Sequence, residues 1–180
     1  HYDITKHVID LYAPKFDVEY YGLRFGTVNG FSPKMRSDVM INSMIYNGKI
    51  NGEIKLFIKD IMRPILGISD LSSAIQKIIG SNTDKRGIYN LASFNKTAEE
   101  IANGIKECLG FRITVLGENI PNITNSKLQT RSYNFSIDSS KFINAFNFKF
   151  NDSVESISEE IILNFDDIIF SNRSDVKEYK

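Results

Sequence analysis

Cysteine is almost absent from this 180-residue chain. Cys108 stands alone, so no internal disulfide can form and a reducing compartment is the simplest setting. Charge imbalance is absent too. Twenty-two basic and 22 acidic residues give a formal net charge of +0, which argues against a nucleic-acid or membrane-surface partner drawn by bulk electrostatics. A local basic pocket stays compatible with that balance. Long apolar runs are lacking: none approaches the roughly 18 residues of a spanning helix, and the best late candidate, "EEIILNFDDIIF", is broken by Asp166 and Asp167. Histidine is scarce, with His1 and His7 far from any ligand cluster, so no metal is expected. Nothing resembles a secretory signal, and the cytoplasm is the expected location. What remains is ordinary globular material. Hydrophobic residues at 42% and charged residues at 24% exclude wholesale disorder, and the length suits one domain with a sizeable core.

Apolar spacing in "YDITKHVIDLY" predicts a helix with Ile4, Val8 and Leu11 on one side, which Pro14 cannot continue. "DVEYYGLRFG" reads as a buried strand. The polar loop "NGFSPKMR" leads into a helix over "SDVMINSMIYNG", with Ser37 a candidate cap and Gly48 a candidate stop. "EIKLFI" reads as a short strand. A short apolar strand in "MRPILG" precedes an amphipathic helix, "SDLSSAIQKIIGS", whose stripe is Leu71, Ile75, Ile78 and Ile79. "GIYNLAS" is a further strand. "TAEEIANGIKECLG" opens on a capping box at Thr97 and Glu100, ends on Gly110 and places Cys108 on its apolar face. Beyond the strand "RITVL" come a polar loop over 117–131 and the extended "SYNFSID". A short helix "SSKFINAF", capped by Asp138 or Ser139, and a terminal helix "SVESISEEIILNFDDIIF" follow, before a frayed tail. No internal repeat is visible. Helices alternating with strands predict an α/β fold, less regular after Gly30.

Tyr2 and Lys6 form Y-x-x-x-K. Residues i and i+4 share a helix face, so a phenol and an ammonium meet at one point. The cation favours phenolate and lowers a tyrosine pKa that otherwise sits near about 10. Such a tyrosine can exchange a proton with a substrate hydroxyl while hydride moves to or from a nicotinamide. Tyr and Lys are common enough here that one such pair also arises by chance. Context adds weight: Arg24, Phe25, Gly26 and Thr27 stand at the carboxyl end of the following strand, where open α/β sheets bind ligands.

Several segments, in order, carry a family resemblance. Arg24-Phe-Gly-Thr-Val-Asn-Gly30 is similar to R-x-x-x-V-Y-G, and "RPILGISDLSSAI" to R-x-F-I-H-V-x-D-x-A-x-A-I, with Gly67 where His is usual. "GIYNLAS" matches G-x-x-Y/F-N-L/V-G/A-S, and "RSYNFSIDSSKFINAFNF" is similar to R-x-Y-x-x-D-x-S-K-x-x-x-x-L-G-F. "SPKMRSDVMINSMI" is similar to a substrate-lobe segment. The chain thus resembles the C-terminal portion of an extended short-chain dehydrogenase/reductase of the sugar-nucleotide epimerase/dehydratase type.

That resemblance implies the C-terminal part of a Rossmann-type doubly wound parallel sheet plus a small α/β substrate-binding lobe. Residues 1–30 would end the dinucleotide-binding domain and carry the catalytic helix. Residues 31–172 would be mainly the substrate lobe with interleaved Rossmann elements, and 173–180 a flexible tail. It implies NAD as cofactor, with NADP left open, a nucleoside-diphosphate sugar as substrate and a homodimer formed through the Tyr/Lys helix. Tyr2 and Lys6 would be catalytic and, with Phe25, Gly26 and Thr27, cofactor-binding. Thr27, which replaces a common Asn, would share substrate contacts with Asp38, Val39, Arg63 and Arg131. Arg63 and Arg131 would grip the diphosphate, surface ion pairs being the structural alternative. Asp70 reads as a helix cap and anchor. The family's Gly-rich dinucleotide loop would lie upstream of the tyrosine, so a truncated enzyme, inactive alone, is expected. Dehydratase or reductase chemistry, or a non-catalytic binding or interaction module, is the alternative to epimerisation.

Overall fold

The computed structural model describes residues 2–81, 85–116 and 134–169, with the side chains of residues 2 and 3 outside that description. The expected loop over 117–131, Arg131, the whole of the expected tail and His1 therefore lie outside it.

Seven strands and six helices alternate along the described chain. Helix α1 (Tyr2–Tyr12) ends at a short 3-10 turn carrying Pro14. β1 (Tyr21–Phe25) and β2 (Thr27–Asn29) lead to α2 (Met40–Asn51). β3 (Glu53–Leu56), β4 (Met62–Gly67) and α3 (Ile68–Ile79) follow. β5 (Gly87–Leu91), β6 (Phe94–Thr97), α4 (Ala98–Leu109) and β7 (Arg112–Val115) precede α5 (Ser140–Phe146) and α6 (Val154–Leu163).

The strand pairs β1–β5, β2–β4 and β3–β7 are parallel, as βαβ connections require, and β6 runs antiparallel to β4. β1 and β2 are one extended run that changes partner at Gly26, whose N–H donates to Leu91 O at 2.8 Å. The run after β5 changes partner in step, Ser93 N–H donating to Ile65 O at 2.7 Å. Glycine is required at the first switch because a Cβ there would sit 2.9 Å from Pro64 O. This exchange delivers Phe25–Thr27 to a break between strand pairs.

Two apolar clusters hold the elements. One joins α2, α4 and α6 over β3 through Ile41, Ile45, Ile54, Ile101, Ile105, Ile157 and Ile161, each at most 2% exposed. The other packs Leu66, Ala74 and Leu91 on the rings of Tyr89, Phe142 and Phe146. Phe142 meets the Phe146 ring at 4.8 Å and Phe148 edge-on at 5.2 Å.

Several local expectations shift. The helix expected over 37–48 runs from Met40 to Asn51; Ser37 is not its cap, and Gly52 at φ 68° closes it rather than Gly48. Gly48 is inside the helix, where the Phe111 ring fills the space a Cβ would need. In α3, Ala74 is buried and Leu71 and Ile78 pack on the second cluster, whereas Ile75 and Ile79 are 39% and 79% exposed. The core-facing stripe is i, i+3, i+7, rotated from the expected one. Asp70 lies within the first turn of α3, after the cap position at Gly67. Ser139 holds the N-cap position of α5, but its hydroxyl makes no cap bond and accepts from Ala92 N–H instead, while Asp138 accepts from Ser140 N–H. α6 stops at Leu163, where the Asn164 amide donates back to Glu160 O and a 3-10 turn follows. Cys108 is half-buried beside Glu159 rather than in the core. β6 is an unanticipated strand, and residues 134–138, expected to be extended, belong to no strand. No helix among the described residues is long and apolar enough to cross a membrane.

Candidate active site

A cleft of about 910 Å³ opens where β1 passes into β2. Lys6 and Asp10 of α1 line one side, the run from Gly22 to Gly30 forms the floor, and Lys34, Met35, Arg36 and Val39 form the far side. Lys6 and Asp10 are one helical turn apart and share a face. Arg24 draws Asp10 onto the strand, its Nε donating to Asp10 Oδ2 at 3.0 Å and its Nη2 to the same oxygen at 2.5 Å. That ion pair brings the Lys6 face of α1 to the edge of Phe25–Thr27.

The far side is built by two buried asparagines. Asn29, 1% exposed, ends β2; its Oδ1 accepts from Ile41 N–H in the first turn of α2, and its Nδ2 donates to Thr27 O. Asn42, 3% exposed, answers from α2: its Oδ1 accepts from Gly30 N–H and its Nδ2 donates to Arg36 O. These exchanged amide bonds satisfy backbone groups that burial would otherwise orphan. They also fix both ends of the loop carrying Lys34 and Arg36. Gly30 at φ 137° turns that loop away from the strand, in a backbone region that side chains disfavour. Arg36 holds Asp38 in a two-point pair, Nε to Oδ1 at 2.8 Å and Nη2 to Oδ2 at 2.7 Å. The Asp38 hydrogen bond, opposed by partial burial, pushes the guanidinium pKa up.

Of the residues singled out from sequence, Lys6, Phe25, Gly26, Thr27 and Val39 line this cleft. Asp38 reaches it through Arg36. Tyr2 is on α1, one turn before Lys6, with its side chain outside the description. Arg63 is elsewhere. It is on β4 opposite Lys96, donates from Nη1 to Met62 O at 3.0 Å and has its guanidinium carbon 6.0 Å from the Phe135 ring centre. Burial pushes its pKa down. The segment from Asn134 docks beside it, the Asn134 side chain accepting from Met62 N–H at 2.8 Å. Sequence reasoning missed Asn29, Asn42, Lys34 and Arg36; Asn29-Gly30 at a strand end was the one available signal for the first. No group of three or more His, Cys, Asp or Glu side chains suited to a metal occurs among the described residues.

Neither a protein-family model nor a curated sequence matches the chain. Solved structures do. ADP-L-glycero-D-manno-heptose-6-epimerase from Helicobacter pylori superposes with a TM-score of 0.73 at 21% identity over 92% of this chain and 51% of that one. L-threonine dehydrogenase from Phytophthora infestans gives 0.71 at 19% identity, over 90% of this chain and 53% of that one. The Bordetella bronchiseptica enzyme WbmG, in complex with NAD and UDP, gives 0.66 at 18% identity over 94% and 53%. The chain thus spans about half the length of each, and what it shares with them is a fold, the Rossmann-like α/β fold of extended short-chain dehydrogenases/reductases.

Proposed function

We propose that the chain is the tyrosine- and lysine-bearing part of an NAD(P)-dependent sugar-nucleotide epimerase of the extended short-chain dehydrogenase/reductase family. The observation that carries this reading is convergence: Lys6, the Phe25–Thr27 switch and the Lys34–Val39 loop meet in one cleft at the carboxyl end of a parallel strand. Residues 1–30 supply the cofactor side and 31–172 mainly the substrate side.

The residues present fit a nicotinamide nucleotide. Lys6 places an ammonium donor in a cleft of about 910 Å³ that Phe25, Gly26 and Thr27 also line. Bound there, the nicotinamide supplies the hydride acceptor. Tyr2 takes the proton of the sugar hydroxyl as hydride leaves its carbon, and Lys6 favours the phenolate that this requires. Phe25, Gly26 and Thr27 shape the nicotinamide end, and Thr27 and Val39 meet the sugar. Arg63, which lies outside this cleft beside Phe135, and Arg131 are the diphosphate contacts that the resemblance implies. A homodimer through α1 completes the assembly.

A dehydratase or reductase keeps the same hydride step, and its fold neighbours include dTDP-glucose 4,6-dehydratase from Bacillus anthracis in complex with NAD, at a TM-score of 0.64. The test is made on the complete gene product, assayed against a panel of nucleoside-diphosphate sugars, with products resolved by NMR. Epimerisation is expected, and Tyr2→Phe should lower kcat by about 100-fold or more while ligand binding persists. Near-normal turnover in that variant overturns the assignment. A 4-keto-6-deoxy product moves it to the dehydratase.

A further inference from the structure

We propose that Arg36 is the cleft's oxyanion receptor, taking a phosphate or carboxylate of the ligand, and that Asp38 occupies its fork until the ligand arrives. The inference rests on the reading of this cleft as the ligand site.

Four observations carry it. Arg36 lines the same cleft as Lys6, and its side chain is 54% exposed, so an incoming group can reach the fork. Its two contacts to Asp38, at 2.8 and 2.7 Å, use the paired N–H geometry that arginine presents to planar carboxylates and to phosphates. The backbone beneath is held: Arg36 O accepts from buried Asn42, and Met35 next to it is 2% exposed. The side chain is therefore delivered from a fixed point while its head stays in reach of solvent. Finally, the chain is neutral overall, yet the cleft gathers four basic side chains, Lys6, Arg24, Lys34 and Arg36, against two carboxylates, Asp10 on Arg24 and Asp38 on Arg36. That local field favours anions.

Displacement is cheap in this geometry. Exposed ion pairs contribute little, so a ligand oxyanion that enters a partly enclosed cleft can outcompete Asp38, which is 31% exposed and returns to water. Asp38 thus acts as a competitor of the ligand rather than a contact to it.

This gives the two partners opposite signs, which a loop-pinning role for the pair does not. The experiment is calorimetric titration of the complete, NAD-loaded gene product with UDP, UDP-glucose, UDP-glucuronate and inorganic pyrophosphate. Arg36→Gln should weaken binding about tenfold or more, Arg36→Lys should restore part of it, and Asp38→Asn should tighten it about threefold or more. Asp38→Ser, which also removes the charge, serves as the second variant, and circular dichroism confirms that each is folded. Loss in Arg36→Gln for UDP and pyrophosphate assigns the fork to phosphate; loss confined to UDP-glucuronate assigns it to a sugar carboxylate. Weaker or unchanged binding in both Asp38 variants overturns the proposal. The function reading fails separately: pyrophosphate binding with the opposite-sign pattern but no nucleotide-sugar binding keeps the receptor and removes the substrate. Turnover of a nucleotide sugar with Arg36→Gln binding normally does the reverse. Binding of none of the four probes overturns both.

Discussion

At position 67 a carboxylate occupies the space of a side chain. A Cβ on Gly67 would lie 1.9 Å from Asp152 Oδ2, and that oxygen accepts from Asp70 N–H in the first turn of α3. Asp70, 3% exposed, returns the contact by accepting from Asn151 and Asp152 N–H. Two carboxylates thus lock α3 to the segment entering α6. Burial pushes the Asp152 carboxyl above the ordinary aspartate value of 3.8; the Asp70 charge adds to this, and backbone N–H bonds from Asp70 and Ser69 oppose it. An acid raised by folding holds its proton where the unfolded chain has lost it. Its contribution to stability is complete below 3.8 and is lost as pH rises through the folded value. Asp152→Asn keeps an oxygen for Asp70 N–H and removes the charge. Urea unfolding across that window should show a flatter pH profile for the variant, relative to the parent; identical slopes would mean that Asp152 is not titrating there. Asp10→Asn tests a different tie. The Arg24 pair is half-exposed, so stability should fall by under about 1 kcal/mol. Turnover should fall further than that loss of stability explains, because Asp10 holds the Lys6 face of α1 against β1. Unchanged kcat would reduce the pair to a surface contact.

Among elements, α2 shows how two glycines four residues apart serve different ends. Gly52 sits at φ 68° with open space around it, so it is needed for backbone conformation alone. Gly48 is helical, and a Cβ there would lie 2.3 Å from the Phe111 ring, so it is needed for the approach of the α4–β7 connection. Gly52→Ala should cost about 1 kcal/mol through its left-handed backbone. Gly48→Ala should cost about 1–3 kcal/mol through overpacking. Phe111→Leu should recover part of the second loss and none of the first, as read by denaturant unfolding. Equal recovery in both would show that the ring does not set the Gly48 requirement. The capping box of α4 was legible in advance because Thr97 and Glu100 are three residues apart and bond reciprocally. The start of α2 was not, because its first-turn amide is met by Asn29, 12 residues upstream.

For the whole molecule, the unevenness of burial is informative. The two clusters are closed, while α1 exposes Ile4 at 66%, Val8 at 44% and Leu11 at 56% along one face. An apolar helix face of this kind marks an interaction surface, and it supports the proposed homodimer through α1. Leu11→Glu in the complete gene product should lower the dimer fraction measured by sedimentation while leaving its far-UV spectrum intact. A dimer of parental stability would move the interface elsewhere.

Local signals in the sequence determined the α/β alternation, the helix break at Pro14, the α4 cap and the placing of Lys6 ahead of a strand end. Each depends on neighbours within a few residues, where periodicity and hydrogen-bond reach suffice. Tertiary structure decided the rest. β6 exists because β4 offers it a partner, not because "FNKT" has a strand pattern. Ile75 and Ile79 face outward because α3 meets the sheet through Ala74. Arg36 reaches the cleft because Asn42, on α2, holds its carbonyl. Arg63, by contrast, is drawn onto Phe135, 72 residues along the chain. Contacts of that range depend on which surfaces meet after the elements have formed, and no spacing in the sequence encodes that meeting.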